Sequence, residues 1–209
     1  MNRDLLFPTP IYSFNIGSPE FNKYLEEHIL KLKNEDPGIE RTNVNGWHSQ
    51  DNINEKEEYT PLVGDLYKAQ RMIYEQENYN SEPYLGNMWA NINPPGGFNR
   101  PHMHPNALWS GVYYVKTPEN CGELKIEDPK SVGLMIMPNR KQPQPEHSQR
   151  EIHYKPFPGL LIMFPAYLNH CVEPNQSDDI RISISFNFLQ KGMFVSQTEL
   201  NSNNLKGVT

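Results

Sequence analysis

Residues 158–187 read Pro-Gly-Leu-Leu-Ile-Met-Phe-Pro-Ala-Tyr-Leu-Asn-His-Cys-Val-Glu-Pro-Asn-Gln-Ser-Asp-Asp-Ile-Arg-Ile-Ser-Ile-Ser-Phe-Asn, and this stretch decides the fold. It opens with a turn at Pro158-Gly159, continues as an apolar run and stops at Pro165. Its last part alternates. Successive side chains of an extended chain project to opposite faces, so Arg181, Ser183 and Ser185 share one face while Ile182, Ile184 and Phe186 share the other. Two strand patterns separated by the turn residues Pro174-Asn175 belong to packed sheets rather than to helices. A face that begins with arginine and continues with serines is poorly suited to core packing. The alternative is a solvent-facing strand with Arg181 paired to Asp178 or Asp179.

The same punctuation recurs upstream. Short extended runs lie at 84–92, 108–115, 123–127, 134–137, 151–154, 160–164 and 180–189. They are divided by Pro94-Pro95-Gly96-Gly97, Asn120-Cys121-Gly122, Pro138-Asn139, Pro158-Gly159 and Pro174-Asn175. Regular short strands with such turns predict a β-barrel or jelly roll. Before residue 83 the pattern differs. A first strand is predicted over 4–16, where prolines suit a sheet edge. Ser18-Pro19 predicts a helix start, followed by Phe21, Leu25, Ile29 and Leu32 at helical spacing as far as Lys33. Residues 34–58 read as a polar loop. Thr60-Pro61 reads as the cap of a second helix with Leu62, Leu66, Ala69, Met72 and Ile73 on one stripe. The chain is therefore read as mainly β with a helical layer. One domain, 1–209, has a strand and helices in 1–82, a β core in 83–190 and a tail in 191–209.

Hydrophobic residues make up 36% of the 209 and charged residues 21%, which is ordinary for a globular protein. A net charge of -6 without a basic cluster disfavours nucleic acid as a partner. The two cysteines, Cys121 and Cys171, make neither a disulfide framework nor a four-cysteine zinc site. The amino terminus lacks the apolar centre of a signal peptide, and no run approaches the ~18 apolar residues of a membrane span. The reading is a cytoplasmic protein with no membrane partner, in which the Asn175-Gln-Ser sequon is chance.

His102 and His104, in Asn99-Arg-Pro-His-Met-His-Pro105, form a His-x-His pair. One extended strand can aim both imidazoles at a common point, and a distant strand can bring His170 as the third. Three imidazoles leave positions open on a first-row metal, and catalysis needs open positions. Arg181 offers a planar fork that matches a carboxylate. His28, His48, His147 and His153 lie in polar segments and read as surface residues, and Met103 as packing.

The stretches Trp89-Ala-Asn-Ile-Asn93, Arg100-Pro-His-Met-His-Pro105, Trp109-Ser-Gly-Val-Tyr-Tyr-Val115, Cys121-Gly-Glu-Leu124 through Asp128-Pro129, and 158–187 carry a resemblance. They resemble the 2-oxoglutarate- and Fe(II)-dependent oxygenases, specifically the family allied to prolyl hydroxylases, over 84–190. The resemblance implies a double-stranded β-helix (a cupin-like jelly roll) and a dioxygenase, a hydroxylase releasing succinate and carbon dioxide. It implies Fe(II) as cofactor on His102, His170 and the residue at the His-x-Asp carboxylate position, which here is His104. It implies Arg181 on the distal carboxylate of the cosubstrate 2-oxoglutarate, with Tyr114 and Ser183 beside it. His104 departs from the common pattern, because a neutral imidazole leaves the site one unit more positive. Asn91 and Asn93 share strand parity and could reach the C1 carboxylate; turn chemistry before Pro94 is the other reading. Trp89 and Trp109 could line a substrate mouth, though aromatic core is the simpler fate for each.

The partners implied are 2-oxoglutarate and dioxygen, with a primary substrate that is either a peptide or a small metabolite. The amino-terminal helices offer a face for a homodimer, and 139–149 is either a lid or a surface excursion. Two rival readings remain open: a cupin-like three-histidine enzyme that uses no 2-oxoglutarate, and a non-catalytic jelly-roll binding module.

Overall fold

The structure, a computed structural model, describes residues 1–2, 4, 7–130, 139–145 and 148–190. In chain order the elements are β1 (Tyr12–Asn15), α1 (Pro19–Glu35), β2 (Asn43–Val44), β3 (Trp47–His48), α2 (Thr60–Gln76), β4 (Tyr84–Asn93), β5 (Phe98–His102), β6 (Trp109–Lys116), β7 (Leu124–Glu127), β8 (Glu151–Tyr154), β9 (Leu160–Pro165), β10 (His170–Val172) and β11 (Arg181–Leu189). A six-stranded sheet runs β1-β9-β6-β11-β4-β3, and a five-stranded sheet runs β2-β5-β10-β7-β8. The strands pair antiparallel within each sheet. This is the jelly-roll sandwich; among the described residues the two sheets do not join into a closed barrel.

The large sheet is covered on both faces. On its outer face Ile92, Ile182, Ile184 and Phe186 pack with Leu25 and Ile29 of α1 and Leu62, Leu66 and Ile73 of α2. On its inner face Val112, Tyr114, Ile162 and Phe164 meet Leu124 and Ile126 of the small sheet. Each such aliphatic side chain, fully buried, contributes about 1.5–3 kcal/mol. The alternation of β11 is thus satisfied twice, with isoleucines toward the helices and Arg181, Ser183 and Ser185 between the sheets.

Helix α1 starts as its sequence predicts. Ser18 is extended, and its hydroxyl accepts the N–H of Phe21 at 3.2 Å. Helix α2 differs. Thr60 is already helical, Tyr59 is the cap, and no side chain caps the end, because a 3-10 turn at 57–59 feeds directly into the helix. Among the described residues of the strand predicted over 4–16, Tyr12–Asn15 forms the strand, the part that pairs with β9. The strand predicted at 134–137 lies outside the described residues. The extended strand expected to carry both His102 and His104 is β5, which contains Pro101 and ends at His102, and β10 has only three residues and no pattern to announce it. Nor is 34–58 a plain loop. Asn45, at φ 50°, and Gly46 turn the chain so that β2 joins the small sheet and β3 the large one.

Candidate metal centre

His102 ends β5 directly opposite His170, the first residue of β10. His104 lies beyond the strand, where its backbone N–H donates to the Ala166 carbonyl at 3.0 Å. A strand end and a turn therefore aim the pair, not the single strand the spacing suggested. Ring centroids are 4.3 Å apart for His102 and His170, 4.9 Å for His102 and His104, and 5.1 Å for His104 and His170. One ring nitrogen from each lies within 4.8 Å of the others, close enough to share an ion.

The rings are oriented by the backbone. Nδ1 of His102 is 2.7 Å from the Arg100 carbonyl, and Nδ1 of His170 is 2.9 Å from the Leu168 carbonyl. A carbonyl only accepts, so both rings carry their proton on Nδ1 and keep the Nε2 lone pair for a metal. Burial disfavours the imidazolium, pushing His170 down to about 3 and His104 to about 4, and lowering His102 as well. All three are neutral at ordinary pH, as metal ligands must be.

Arg181 is 1% exposed, so the solvent-facing alternative is excluded. Asp179 instead pairs with Lys116, at 2.9 Å. Nη1 of Arg181 donates to the carbonyls of Cys121 (2.7 Å), Gly122 (3.3 Å) and Glu173 (3.4 Å). Its Nε and Nη2, and the Tyr114 hydroxyl, are buried with no partner among the described residues. Burial raises the Tyr114 hydroxyl above its usual range, so it stays a donor. Ser183 sits opposite Tyr114 on the neighbouring strand. Buried donors without acceptors are costly, and an anion with several acceptor oxygens would satisfy this set.

A cavity of about 290 Å³ lies between the sheets, lined by the three histidines together with Tyr114, Ser183, Asn91 and Trp89. Arg181 is buried next to it rather than at its surface. Asn91 donates to the Ser185 hydroxyl at 3.3 Å and keeps a buried Oδ1 without a partner. Asn93 does not reach the cavity; its amide donates to Asn99 Oδ1 at 3.3 Å, so it knits strands together. Trp109 is a correction too. Its parity sends it to the outer core, edge-on to Tyr12 at 5.7 Å, because Ser110 takes the cavity face. Trp89 does line the cavity, 5.7 Å from His104. Met103 is half-exposed at its rim.

His48 is not a surface residue. It is 4% exposed and lines the cavity with Arg41, Thr42 and Asp51. No periodicity announces it, because β3 is two residues long. His153 remains outside the cavity, on the outer face of the small sheet, within 3.7 Å of Glu123 and 3.5 Å of Glu173. His28 is half-buried on α1 beside the Tyr24 carbonyl, outside the cavity, and His147 lies outside the described residues. Among the described residues no helix is long and apolar enough to cross a membrane.

Residues 87–187 match the profile of a family described as 2OG-Fe(II) oxygenase. Among solved structures, a prolyl-4-hydroxylase from Pseudomonas putida is similar with a TM-score of 0.66 and 16% identity, over 88% of this chain and 94% of that one. A viral collagen prolyl hydroxylase from Paramecium Bursaria Chlorella virus-1, in a 2-oxoglutarate complex, gives 0.57 and 15%, over 85% and 94%. A prolyl hydroxylase from Trichoplax adhaerens, bound to a hypoxia inducible factor peptide fragment, gives 0.62 and 11%, over 87% and 84%. At these identities the likeness is one of fold. No curated protein matches the chain.

Proposed function

On residues 87–187 the chain belongs to the 2-oxoglutarate- and Fe(II)-dependent oxygenases, and from that premise we propose that His102, His104 and His170 hold the ferrous ion while Arg181, Tyr114 and Ser183 receive the distal carboxylate of 2-oxoglutarate. The enzyme is a dioxygenase that takes Fe(II) as cofactor and 2-oxoglutarate as cosubstrate. The observation that carries the residue assignment is the adjacency of two groups at one cavity, the imidazoles lining it and Arg181 buried beside it. Three neutral imidazoles face each other, and beside them two guanidinium nitrogens and a phenol hydroxyl are buried with nothing to donate to.

When bound, iron and the oxoacid supply the activation of dioxygen, coupled to decarboxylation of the oxoacid to succinate and carbon dioxide. The chain's own part is positioning. The carbonyls of Arg100 and Leu168 fix the rings of His102 and His170, so these ligands need not reorganise. The carbonyls of Cys121, Gly122 and Glu173 occupy one end of the Arg181 guanidinium and leave Nε and Nη2 as a fork for a carboxylate. Val112, Leu124 and Phe164 wall the cavity and keep water from its inner part. Asn91 can turn its amide toward the C1 carboxylate in exchange for its contact with Ser185. Asn93 and Trp109 have no part in this arrangement.

The neutral ligand set leaves the full charge of the ion uncompensated, so an anionic cosubstrate and the metal should strengthen each other's binding. A cavity of about 290 Å³ suits a small oxoacid and the reacting end of a peptide or metabolite, with the rest of the substrate outside. A reducing cytoplasm, which would keep the iron ferrous, is the compartment this reading favours. The deciding experiment is an anaerobic absorption spectrum of the Fe(II)-loaded protein titrated with 2-oxoglutarate. A new visible band and, on admitting air, stoichiometric succinate are expected. Bound iron with neither band nor succinate would favour the three-histidine enzyme that uses no oxoacid.

A further inference from the structure

The segment 41–51 crosses the open side of the sandwich, pairing Asn43 and Val44 with β5 of the small sheet and Trp47 and His48 with β4 of the large one. It lies outside the residues shared with the family and supplies one wall of the cavity through Arg41, Thr42, His48 and Asp51. His48 is paired with Asn91. Partners across an antiparallel pair project to the same face, so the inner row Tyr114–Ser183–Asn91 continues into His48.

The ring of His48 is held twice. It lies parallel to the Trp89 ring, at 8° and 5.5 Å, and its Nδ1 is 2.6 Å from the Ser49 carbonyl. The carbonyl can only accept, so the proton is on Nδ1 and Nε2 carries the lone pair. That lone pair faces Asp51 Oδ1 at 4.0 Å, while Asp51 Oδ2 is engaged by Arg41 at 3.8 Å. Two acceptors thus stand side by side on the cavity wall with no hydrogen between them.

We propose that His48 Nε2 and Asp51 Oδ1 form the receptor for a hydrogen-bond donor on the primary substrate, an amine, amide or hydroxyl group, with Trp89 as the flat wall beside it. This rests on the oxygenase reading of the same cavity and names its substrate class. The stacked pair links receptor to metal centre, because Trp89 is also 5.7 Å from His104. The C–H brought to the metal is then a few bonds from the anchored nitrogen or oxygen. A substrate without a donor would leave the buried His48 acceptor unpaired beside the half-exposed Asp51 carboxylate, and sites that hydrogen-bond a substrate N–H or O–H reject analogues lacking it. His48 and Asp51 are accordingly substrate-positioning residues.

The test uses the full chain loaded with Mn(II) and 2-oxoglutarate, and follows paramagnetic broadening of the proton resonances of n-butylamine, n-butanol and methyl propyl ether, which are equal in size. The amine and the alcohol should broaden about tenfold more than the ether, the ratio that ~1.4 kcal/mol of donor recognition gives. H48F keeps a flat ring against Trp89 but removes Nε2, and should bring the three probes level. H48N restores an acceptor and part of the preference. D51N keeps an acceptor oxygen but removes the carboxylate charge, so it should weaken the broadening of the amine more than that of the alcohol, and with H48N it serves if H48F does not fold. An ether broadened as strongly as the donors, no probe broadened in the wild type, or a preference that survives in H48F overturns the receptor. The anaerobic Fe(II)–2-oxoglutarate band, recorded in parallel on the wild type, separates the two failures. Its absence sinks the cosubstrate reading, whereas its presence without donor preference sinks only the receptor.

Discussion

At Arg181 one nitrogen serves three carbonyl oxygens while two nitrogens serve nothing. A guanidinium buried this deeply should lower the free energy of a bound carboxylate by about 3 kcal/mol, roughly a hundredfold in affinity. R181A should therefore raise the 2-oxoglutarate concentration needed for the visible band about a hundredfold and leave bound iron near stoichiometric; equal loss of both would make the arginine structural. H170A should abolish stoichiometric iron, measured by metal analysis after gel filtration. H104D should hold iron at least as tightly as the wild type, since a carboxylate there would offset charge. Acid sensitivity follows from the same burial. A histidine with its folded-state value below its unfolded one binds fewer protons folded than unfolded in the interval between, so acid favours unfolding there. With His104 at about 4 and His170 at about 3, against an ordinary 6.5, metal-free protein is most stable above 6.5 and weakens as the pH falls from there. Each such histidine adds a slope of up to about 1.4 kcal/mol per pH unit. Urea midpoints between pH 7 and 5 should show this decline, and H104Q should flatten it; the same slope in both proteins would refute a buried neutral ring.

Among the elements, the turn before β7 decides whether Arg181 is correctly held. Gly122 has φ of +85°, a left-handed conformation that a side chain strains, and an added Cβ would meet the Pro174 carbonyl at 2.8 Å. Its own carbonyl is one of the three on Arg181 Nη1. G122A should weaken 2-oxoglutarate binding about tenfold with iron unchanged, an effect of ~1–2 kcal/mol transmitted through backbone position. At the start of α1, S18A removes the single hydroxyl bonded to an orphan N–H and should cost ~1 kcal/mol, or about 2–4 °C of melting temperature. The short strands behave differently from the long ones. β2, β3 and β10 hold two or three residues each, and only pairing to a longer neighbour keeps them extended.

For the whole molecule, the metal ligands stand apart from the two apolar cores, whereas Tyr114 and the cavity walls Val112, Leu124 and Phe164 belong to the inner one. One core lies between the helices and the large sheet, another between the sheets, and the three histidines belong to neither. Chelating the metal should leave far-ultraviolet circular dichroism unchanged. Saturating Fe(II) with 2-oxoglutarate at a hundred times the dissociation constant should add ~2.7 kcal/mol, raising the melting temperature by roughly 5–10 °C. Alternation and side-chain chemistry carry what could be read along the chain. Strands β4, β6, β9 and β11 were legible because each run of six residues or more repeats its pattern, the shorter β7 and β8 because turn residues set them off, and the three imidazoles and the guanidinium because few residues can ligate a metal or fork a carboxylate. Tertiary structure alone decided the rest. It turned Trp109 outward and Trp89 inward, made Asn93 a strand tie, placed His104 on a turn, and drew His48 from an apparently polar loop into the cavity wall. A local pattern reports that a side chain has two faces to choose between, whereas which face becomes the inside is settled by the second sheet and the helices packing over it, and those contacts are made by residues far away along the chain.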